Sequence, residues 1–448
     1  MSDNAKLIDD CFVPGRDRLR HGEALALLKA RVAPVTGTET LPLVDAASRI
    51  LAQPVAAKLP VPAHHNAAVD GYAFAHSDLA KAADGALPVS GRAAAGHPLQ
   101  GPAVPGMAVR IFTGAVLPAA CDTVVMQEDV SLVHGTSDAD AAPGRSGGAM
   151  GIRARPERVI IPQGLKLGAN VRKAGEDVRA GEALFQPGHV VRPQDLAALA
   201  SVGLAEVSCF RRLSVAIVST GDEVIRPGTR ALGEGEVYDA NAPMLGALVA
   251  SSGAKFTDLG VLPDKPEAIR TALSAAAKQH HVILTTGGAS RGEEDHMVAA
   301  LDALGKRHLW QLAVKPGRPM SFGQIGDCVV VGLPGNPVAV FVCFLMYVWP
   351  LLRRLGGGGE FPEPRRYKLR AAFDFTGRKP GRREFWRAML DETKDGLAVD
   401  KFKRDGSGLI SGLRAADGLI DIPEETGDIR EGDLVDFISF SEFGILGR

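Results

Sequence analysis

The stretch Val282–Asp295 of the chain reads VILTTGGASRGEED. Its apolar opening predicts a buried strand, and Gly287 and Gly288 break that strand. A strand, a glycine turn and a helix together point backbone N–H groups and the positive end of the helix at an anion. The helix is predicted from four apolar residues at helical spacing, Met297, Val298, Leu301 and Leu304. An ordinary turn between strand and helix explains the same residues, so the pattern alone leaves both readings open.

The segments around this stretch predict a mostly parallel sheet. Residues 215–220 (VAIVST) and 327–337 (DCVVVGLPGNP) read as further buried strands, and helical patterns separate them. Strands that alternate with helices form βαβ units. The loops at the carboxyl ends of such strands share one edge of the sheet, where ligands bind.

Length and composition exclude several classes of protein. A chain of 448 residues is too long for one core, so two to four domains are expected. The net charge of −1 and the 5% aromatic content do not favour nucleic acid or a membrane surface as a partner. The five cysteines form no CxxC pair and the N-terminus has no apolar leader, which favours a cytoplasmic protein with free thiols. The most apolar run, Val338–Leu352, is too short for a bilayer and predicts a core helix.

The remaining segments predict the outline of the other domains. Residues 1–57 look helical, with one helical face formed by Leu25, Leu28 and Val32. A second helix is predicted from Val44, Ala47 and Leu51 and ends at Pro54. Short strands then indicate a small β domain, in which residues 133–157 are expected to be a mobile tip. Four consecutive glycines, Gly356–Gly359, indicate a linker to a C-terminal β barrel or sandwich.

Charged residues gather at the predicted strand ends. The loops are TGDE (220–223), TGGASRGEED (286–295) and LPGNP (333–337), and Lys315 and Arg318 lie in a fourth loop. With the carboxylates Glu223, Asp264 and Asp295, this set suits a phosphorylated substrate whose charge Mg²⁺ bridges. Each residue has a simpler explanation: Asp264 and Asp295 as helix caps, and the others as solvated side chains. The chain lacks GxxxxGK[ST] and an opening GxGxxG, so P-loop and dinucleotide sites are excluded.

A further candidate lies in the loop VPAHHNAAVDGYAFA, residues 61–75. Its Asp70-Gly71 pair is typical of a turn. The alternative is an exposed loop that carries Asp70 to a partner's site.

Eight motifs together resemble the molybdopterin molybdenumtransferase family, which includes bacterial MoeA and the gephyrin E-domain. They are NAAVDGYA, RIFTGAVLPAACDTVVMQED, VRKAGED, VSTGDE, VYDANA, TTGGASRGEEDHM, AVKPGRP and GLPGNPV, in family order from about residue 20 to the C-terminus. The resemblance implies a multidomain α/β protein with a central domain like molybdopterin adenylyltransferase. The four implied domains are an elongated mixed N-terminal domain (1–57 and 168–210), an inserted β domain (58–167), the central α/β molybdopterin-binding catalytic domain (211–356) and a C-terminal β barrel (360–448).

The family reaction implies the ligands. It inserts molybdenum from molybdate into adenylylated molybdopterin, releases AMP and molybdenum cofactor, and requires Mg²⁺ or a similar divalent cation. A homodimer with a shared cleft is implied, in which the Asp70 loop completes the neighbour's site. Molybdopterin adenylyltransferase and molybdoenzymes are expected partners.

The resemblance also assigns roles to residues. The catalytic positions are Asp70, Thr113, Asp177, Glu223, Asp264, Asp295 and Lys315, of which Glu223, Asp264 and Asp295 would hold Mg²⁺. The substrate-binding positions are Gly287, Gly288, Ser290, Gly292, Arg318, Pro334, Gly335, Asn336 and Pro337. The chain departs from the family at Gln311, Arg318 and Ala339, which leaves fewer oxyanion donors. These departures motivate the alternatives: a cofactor-binding paralogue that acts as carrier, is specific for tungsten or serves as a scaffold.

Overall fold

The structure is a computed structural model that describes residues 18–82, 84–134, 157–287, 296–317, 319–394 and 396–446. The described chain divides into two compact units. Unit 1 contains the described residues up to Gln53, Gln186–Pro193 and the chain from Glu206 onward. Unit 2 contains Pro54–Phe185 and Gln194–Ala205. The finer division into four domains stays a prediction.

Unit 1 is built on the predicted sheet. Its strand Val282–Thr286 is buried along its whole length, and its two neighbours, Ser214–Thr220 and Cys328–Leu333, run parallel to it. The strand Pro319–Ile325 runs antiparallel to both of its neighbours and the other five strands share one direction, so the sheet is mostly parallel, as predicted. The six strands lie in the order Lys255–Leu262, Ser214–Thr220, Val282–Thr286, Cys328–Leu333, Pro319–Ile325 and Lys306–Gln311.

Helices cover both faces of this sheet. Pro266–Ala277 buries Ile269 and Leu273 together with Met297 and Leu301 of the helix His296–Leu304, as their spacing predicts. The other face packs on a larger core that includes the helices His21–Arg31 and Asn241–Ser251.

The longest helix in that core is Pro337–Leu355. It comprises Pro337–Cys343, a π-helical stretch Phe344–Val348 and Trp349–Leu355. By length and composition alone this 19-residue helix could span a membrane, so the prediction that the apolar run is too short for a bilayer does not hold for the whole helix. It is 89% buried inside the protein, however, and serves as a core helix.

The C-terminal region is a closed barrel of five strands. They are Tyr367–Ala371, Arg383–Thr393, Gly396–Lys401, Gly418–Ile422 and Leu434–Ser439, with a short helix at Ile410–Ala415. The strand Arg383–Thr393 pairs on both sides, with Gly396–Lys401 and with Gly418–Ile422, which closes the ring. The short strand Val314–Lys315 of the α/β region also pairs with it.

One prediction for unit 1 was wrong. The residues of the predicted second helix, Val44, Ala47 and Leu51, form no α-helix: the strand Thr38–Pro42 leads into a 3₁₀ turn, Leu43–Asp45, and Leu51 forms an isolated bridge with Cys209. The strand pairs with Glu206–Phe210, and a left-handed φ of 61° at Ser48 ends any helical path. Long-range pairing thus overrides the helical spacing.

The four glycines of the predicted linker are tightly packed. Gly356–Gly359 is a close-packed turn: a Cβ on Gly357 would lie 2.2 Å from the ring of Phe210. Arg354 donates to the carbonyl oxygens of Gly358, at 2.9 Å, and Gly359, at 2.6 Å. These positions are glycine because a larger residue would not fit, and not because the segment needs conformational flexibility.

Unit 2 contains the predicted β domain. A six-stranded sheet has the order Thr123–Met126, Gly71–Phe74, Ala108–Ile111, Ala86–Ala93, Arg158–Ile160 and Ser131–Val133. Two short ladders join Val55–Ala56 to Ala183–Phe185 and Asn66–Ala67 to Val171–Arg172. The helices are His76–Leu79 and Pro193–Ser201. Most of the predicted mobile tip lies outside the described residues.

Candidate functional site

A cavity of about 540 Å³ lies where the carboxyl edge of the unit 1 sheet meets the C-terminal barrel. Five predicted site residues line it: Gly287, Lys315, Pro334, Gly335 and Asn336. Ala339 also lines it. The lining does not include Gln311, whose backbone oxygen accepts from the Leu19 N–H at 2.8 Å. The cavity therefore gathers loops from two predicted strand ends with the loop of Lys315.

The glycine turn after the central strand has the predicted geometry. Gly287 has a φ of 83°, and a Cβ there would lie 3.0 Å from the carbonyl oxygen of Thr220. Thr220 ends the neighbouring parallel strand, and its hydroxyl donates to the carbonyl oxygen of Thr286 at 3.4 Å. Only glycine suits this left-handed turn between two close strand ends.

Asp264 is placed by a neighbouring loop and not by helix capping. The N-cap of the helix Pro266–Ala277 is Lys265, and no side chain caps it, so the predicted cap was wrong. The Asp264 N–H instead donates to Asp222 Oδ1 at 3.2 Å. This contact joins the TGDE loop to the Asp264 loop and leaves the Asp264 carboxylate for other partners.

The loop LPGNP is fixed from two sides. Asn241 donates from Nδ2 to the carbonyl oxygen of Gly335 at 2.7 Å. Asp239 caps the helix that carries Asn241, because its Oδ1 accepts from the N–H groups of Asn241 and Ala242, both at 3.0 Å. The motif VYDANA therefore serves to hold the LPGNP loop.

The long core helix begins at the cavity. Pro337 occupies its first turn, where a missing N–H costs nothing. The Val338 N–H donates to the carbonyl oxygen of Ser407 in a barrel loop, at 2.9 Å. The positive end of a 19-residue helix thus faces a cavity that is also lined by cationic side chains.

Lys315 is held by a buried carboxylate. Its Nζ lies 3.4 Å from Glu384 Oε2, and the two residues are partners in a parallel strand pair. Glu384 is almost fully buried and also accepts from Trp386 Nε1 at 2.9 Å. Lys315 itself is half-exposed, so its ammonium group is positioned yet reachable.

The loop after Lys315 rests on a buried thiol. Gly317 has a φ of 112°, and a Cβ there would lie 2.3 Å from Cys343 Sγ. Cys343 donates to the Gly317 carbonyl oxygen at 3.6 Å, and burial raises the pKa of this thiol to about 12. It is therefore a packing residue and not a nucleophile. The four described cysteines are all unpaired.

The barrel supplies cavity residues that sequence reasoning missed. Arg387 is buried and donates to the carbonyl oxygens of Leu409, at 2.9 Å, and Arg404, at 2.7 Å. Two of its five N–H groups are thereby used. The available signal was a pair of charged residues, Glu384 and Arg387, inside the buried run EFWRA. The barrel's other lining residues are Phe385, Trp386, Lys401, Phe402, Asp405, Gly406 and Ser407.

Unit 2 brings two predicted residues together. Asp70 Oδ1 accepts from the Thr113 N–H at 2.8 Å and from its hydroxyl at 2.7 Å. These bonds lower the pKa of Asp70, and the charge of Arg110 adds to the effect. Gly71 begins a strand, and a Cβ on it would lie 1.8 Å from the Val125 carbonyl oxygen, so the predicted turn was wrong. Asp177 is exposed, and no hydrogen bond within the described residues joins it to this pair.

The other predicted residues are in two groups. Glu223 is exposed beside the sheet edge and does not line the cavity. Gly288, Ser290, Gly292, Asp295 and Arg318 lie outside the described residues. Nowhere in the described chain do three His, Cys, Asp or Glu side chains group as metal ligands.

Family profiles match most of the chain. The MoeA N-terminal region (domain I and II) matches residues 19–203. A probable molybdopterin binding domain matches residues 216–354. The MoeA C-terminal region (domain IV) matches residues 368–440.

Individual proteins match at similar breadth. A molybdopterin molybdenumtransferase of Haemophilus influenzae is 34% identical, over 91% of this chain and 95% of that protein. Molybdopterin molybdenumtransferase 2 of Mycobacterium tuberculosis is 32% identical, over 88% of this chain and 93% of that protein. A crystal structure of the molybdopterin biosynthesis MoeA protein from Pyrococcus horikoshii OT3 aligns with a TM-score of 0.76 and 28% identity. That alignment covers 94% of this chain and all of that one.

Proposed function

The chain belongs to the molybdopterin molybdenumtransferase family, and we propose that it inserts molybdenum from molybdate into adenylylated molybdopterin. AMP and molybdenum cofactor are the products. The observation that carries the proposal is the cavity in which Lys315, Arg387 and the start of the long helix meet the strand-end loops. A transferase of molybdenum cofactor biosynthesis needs such a site for a doubly charged oxyanion.

Molybdate is the compact anion that this cation set suits. It is a tetrahedral dianion, so two cations and a helix N-terminus balance its charge. The planar guanidinium group of Arg387 offers paired N–H groups to two oxygens, whereas Lys315 offers a single mobile charge. Arg318 and the loop residues Gly288, Ser290 and Gly292 are proposed as further donors. The diphosphate of the substrate would then lie over Gly287.

The proposal assigns distinct tasks to the residues of unit 1. Lys315 and Arg387 hold the oxyanion, and Glu384 keeps Lys315 in place. Asn241 holds the backbone of the LPGNP loop against the cavity. Pro334 and Pro337 stiffen the same loop, so that its N–H groups stay aimed at the ligand.

We propose that the protein holds a divalent cation through only one or two of its carboxylates. Mg²⁺ binds through one or two carboxylates together with substrate phosphates and water. Glu223 and Asp264, both accessible at the sheet edge, suit that role, and Asp295 is a third candidate. When bound, the cation would neutralise diphosphate charge.

We further propose a cytoplasmic homodimer. In it, the Asp70–Thr113 pair and Asp177 of one protomer complete the site of the other. The hydrogen bonds from Thr113 hold the Asp70 carboxylate in place and lower its pKa. The carrier, tungsten and scaffold alternatives have no better support, because the relatives that match most of the chain are named molybdopterin molybdenumtransferases.

Reconstitution tests this proposal. Purified protein is mixed with adenylylated molybdopterin, molybdate and Mg²⁺, and AMP and cofactor are quantified. We expect both products, in equal amounts, only when molybdate is present. Folded protein that binds the pterin substrate but releases no AMP would instead indicate a carrier.

A further inference from the structure

The barrel side of the cavity carries a second polar pair, Lys401 and Asp405, in addition to the cations already described. Lys401 Nζ donates to Asp405 Oδ1 at 2.6 Å. The Lys401 side chain is only 9% exposed, whereas that of Asp405 is 55% exposed. An ordinary surface ion pair would leave both ends in water, so this pair is instead a built feature of the cavity wall.

The pair has unused hydrogen-bonding capacity. Asp405 Oδ2 accepts no hydrogen bond from a described residue, and Oδ1 accepts one. The Lys401 ammonium group has three N–H donors, of which one serves Asp405 and another reaches the Phe402 carbonyl oxygen at 3.4 Å. The cavity thus presents carboxylate acceptors directly beside an ammonium donor.

Aromatic rings surround the same pair. The Lys401 Nζ lies 5.3 Å from the ring centroids of both Phe375 and Trp386. Trp386 and Phe402 themselves line the cavity, and the Arg387 guanidinium lies 5.0 Å from the Phe402 ring centroid. Flat rings beside a donor–acceptor pair are typical of sites for a planar heterocycle.

The space available exceeds what an oxyanion fills. A four-oxygen anion occupies a minor part of a cavity of about 540 Å³. Cavities of roughly 300–1,000 Å³ hold whole organic ligands. The remaining volume is large enough for the organic part of a substrate.

We propose that Asp405 and Lys401 recognise the pyrimidine edge of the pterin ring; this rests on the proposed function. A pterin presents an acceptor, its 4-oxo group, next to two donors, the N3–H and the 2-amino group. The Asp405 carboxylate accepts from both donors, and Lys401 donates to the 4-oxo oxygen. A charged acceptor that takes two parallel hydrogen bonds gives orientation as well as affinity.

The ligand-side test uses the unaltered full-length protein and two small molecules. Pterin has the 2-amino group, whereas lumazine has a 2-oxo group in its place and is otherwise the same bicycle. Binding of each is measured by ligand-observed NMR titration. We expect pterin to bind at least about tenfold more tightly, because lumazine sets an oxygen against the carboxylate. Equal binding of the two, or no detectable binding of pterin, would overturn the proposal.

The protein-side test uses Asp405→Asn. The amide keeps the size of the side chain and replaces one acceptor oxygen by a donor, so the preference for pterin over lumazine should fall about tenfold. Asp405→Glu keeps the charge, moves the carboxylate by one methylene and should also lower the preference. Asp436→Asn is the matched control, since Asp436 pairs with Lys368 on the same barrel at 2.9 Å and does not line the cavity.

The kinetic arm separates this proposal from the proposed function. In the reconstituted reaction, Asp405→Asn should raise the KM for adenylylated molybdopterin about tenfold and leave the KM for molybdate unchanged. Cofactor synthesis with no change in either KM would overturn the pterin assignment and keep the transferase. A preference for pterin without any AMP release would keep the pterin assignment and overturn the transferase.

Discussion

Removal of the Lys315 charge should weaken molybdate binding without harm to the fold. Lys315→Met retains most of the apolar stem and deletes the ammonium group. The Lys315 side chain is 46% exposed. Its partner Glu384 keeps the Trp386 Nε1 hydrogen bond at 2.9 Å and an ion pair with Arg378 at 3.7 Å. The buried carboxylate is therefore still compensated, and the thermal midpoint should shift little.

The magnitude follows from charge and exposure. One unit charge about 4 Å from a dianion gains about 8 kcal/mol at an effective dielectric constant of about 20, and about 2 kcal/mol in water. Because Lys315 is half-exposed and partly neutralised by Glu384, the lower figure applies. A loss of about 1.5–2 kcal/mol corresponds to a rise in the molybdate Kd of about 10- to 30-fold.

Calorimetric titration with molybdate at fixed ionic strength measures this change. Lys368→Met is the control, because Lys368 is an exposed barrel lysine outside the cavity lining. A change below about twofold in Lys315→Met, or an equal change in the control, would refute the electrostatic reasoning. A further check is salt, which should weaken binding less in Lys315→Met than in the wild type.

Three further predictions concern pH, stability and assembly. Burial lowers the pKa of His21 to about 4, below its unfolded value of 6.5. The neutral ring therefore makes its full contribution to the free energy of unfolding above pH 6.5, and this contribution is lost as the pH falls toward 4. The free energy of unfolding should fall by about 3 kcal/mol over this range, which is measured as a lower thermal midpoint. The fall should vanish in the double variant His21→Leu and Tyr347→Phe, which also removes the hydrogen-bond partner of His21. Asp421 is fully buried, and burial alone would raise its pKa, but the hydrogen bonds and charges of two arginines lower it. Asp421→Asn should therefore lower the free energy of unfolding, measured by chemical denaturation, by about 3–5 kcal/mol. An unchanged midpoint would contradict that pairing. Mixed Asp70→Ala and Lys315→Ala protomers should regain about a quarter of wild-type activity, since half of the random dimers contain one intact site of two. Proven subunit exchange without recovery would place both residues in one protomer's site.

The sequence predicted the elements whose signal is local. The buried strand Val282–Thr286 and the left-handed Gly287 follow from an apolar run and a glycine pair. The helix after LPGNP follows from the apolar run Val338–Leu352. The same local reasoning failed for residues 38–45, because the partner strand that decides their conformation lies about 170 residues away.

The candidate site could be predicted only in part for the same reason. Loops at the carboxyl ends of parallel strands must share an edge, so Gly287, Lys315 and Gly335 could be grouped in advance. No local pattern says that a separate barrel closes the cavity, so Arg387 and Asp405 were missed. The Asp264 cap failed because the helix begins at Pro266, so that Lys265 and not Asp264 is its N-cap residue.

One measurement tests the central claim directly: a crystal of the protein soaked in molybdate, with anomalous diffraction recorded at the molybdenum edge. The account predicts one strong anomalous peak inside the cavity, within hydrogen-bond reach of Lys315 Nζ and the Arg387 guanidinium. A peak elsewhere on the protein, or an empty cavity at saturating molybdate, would contradict it.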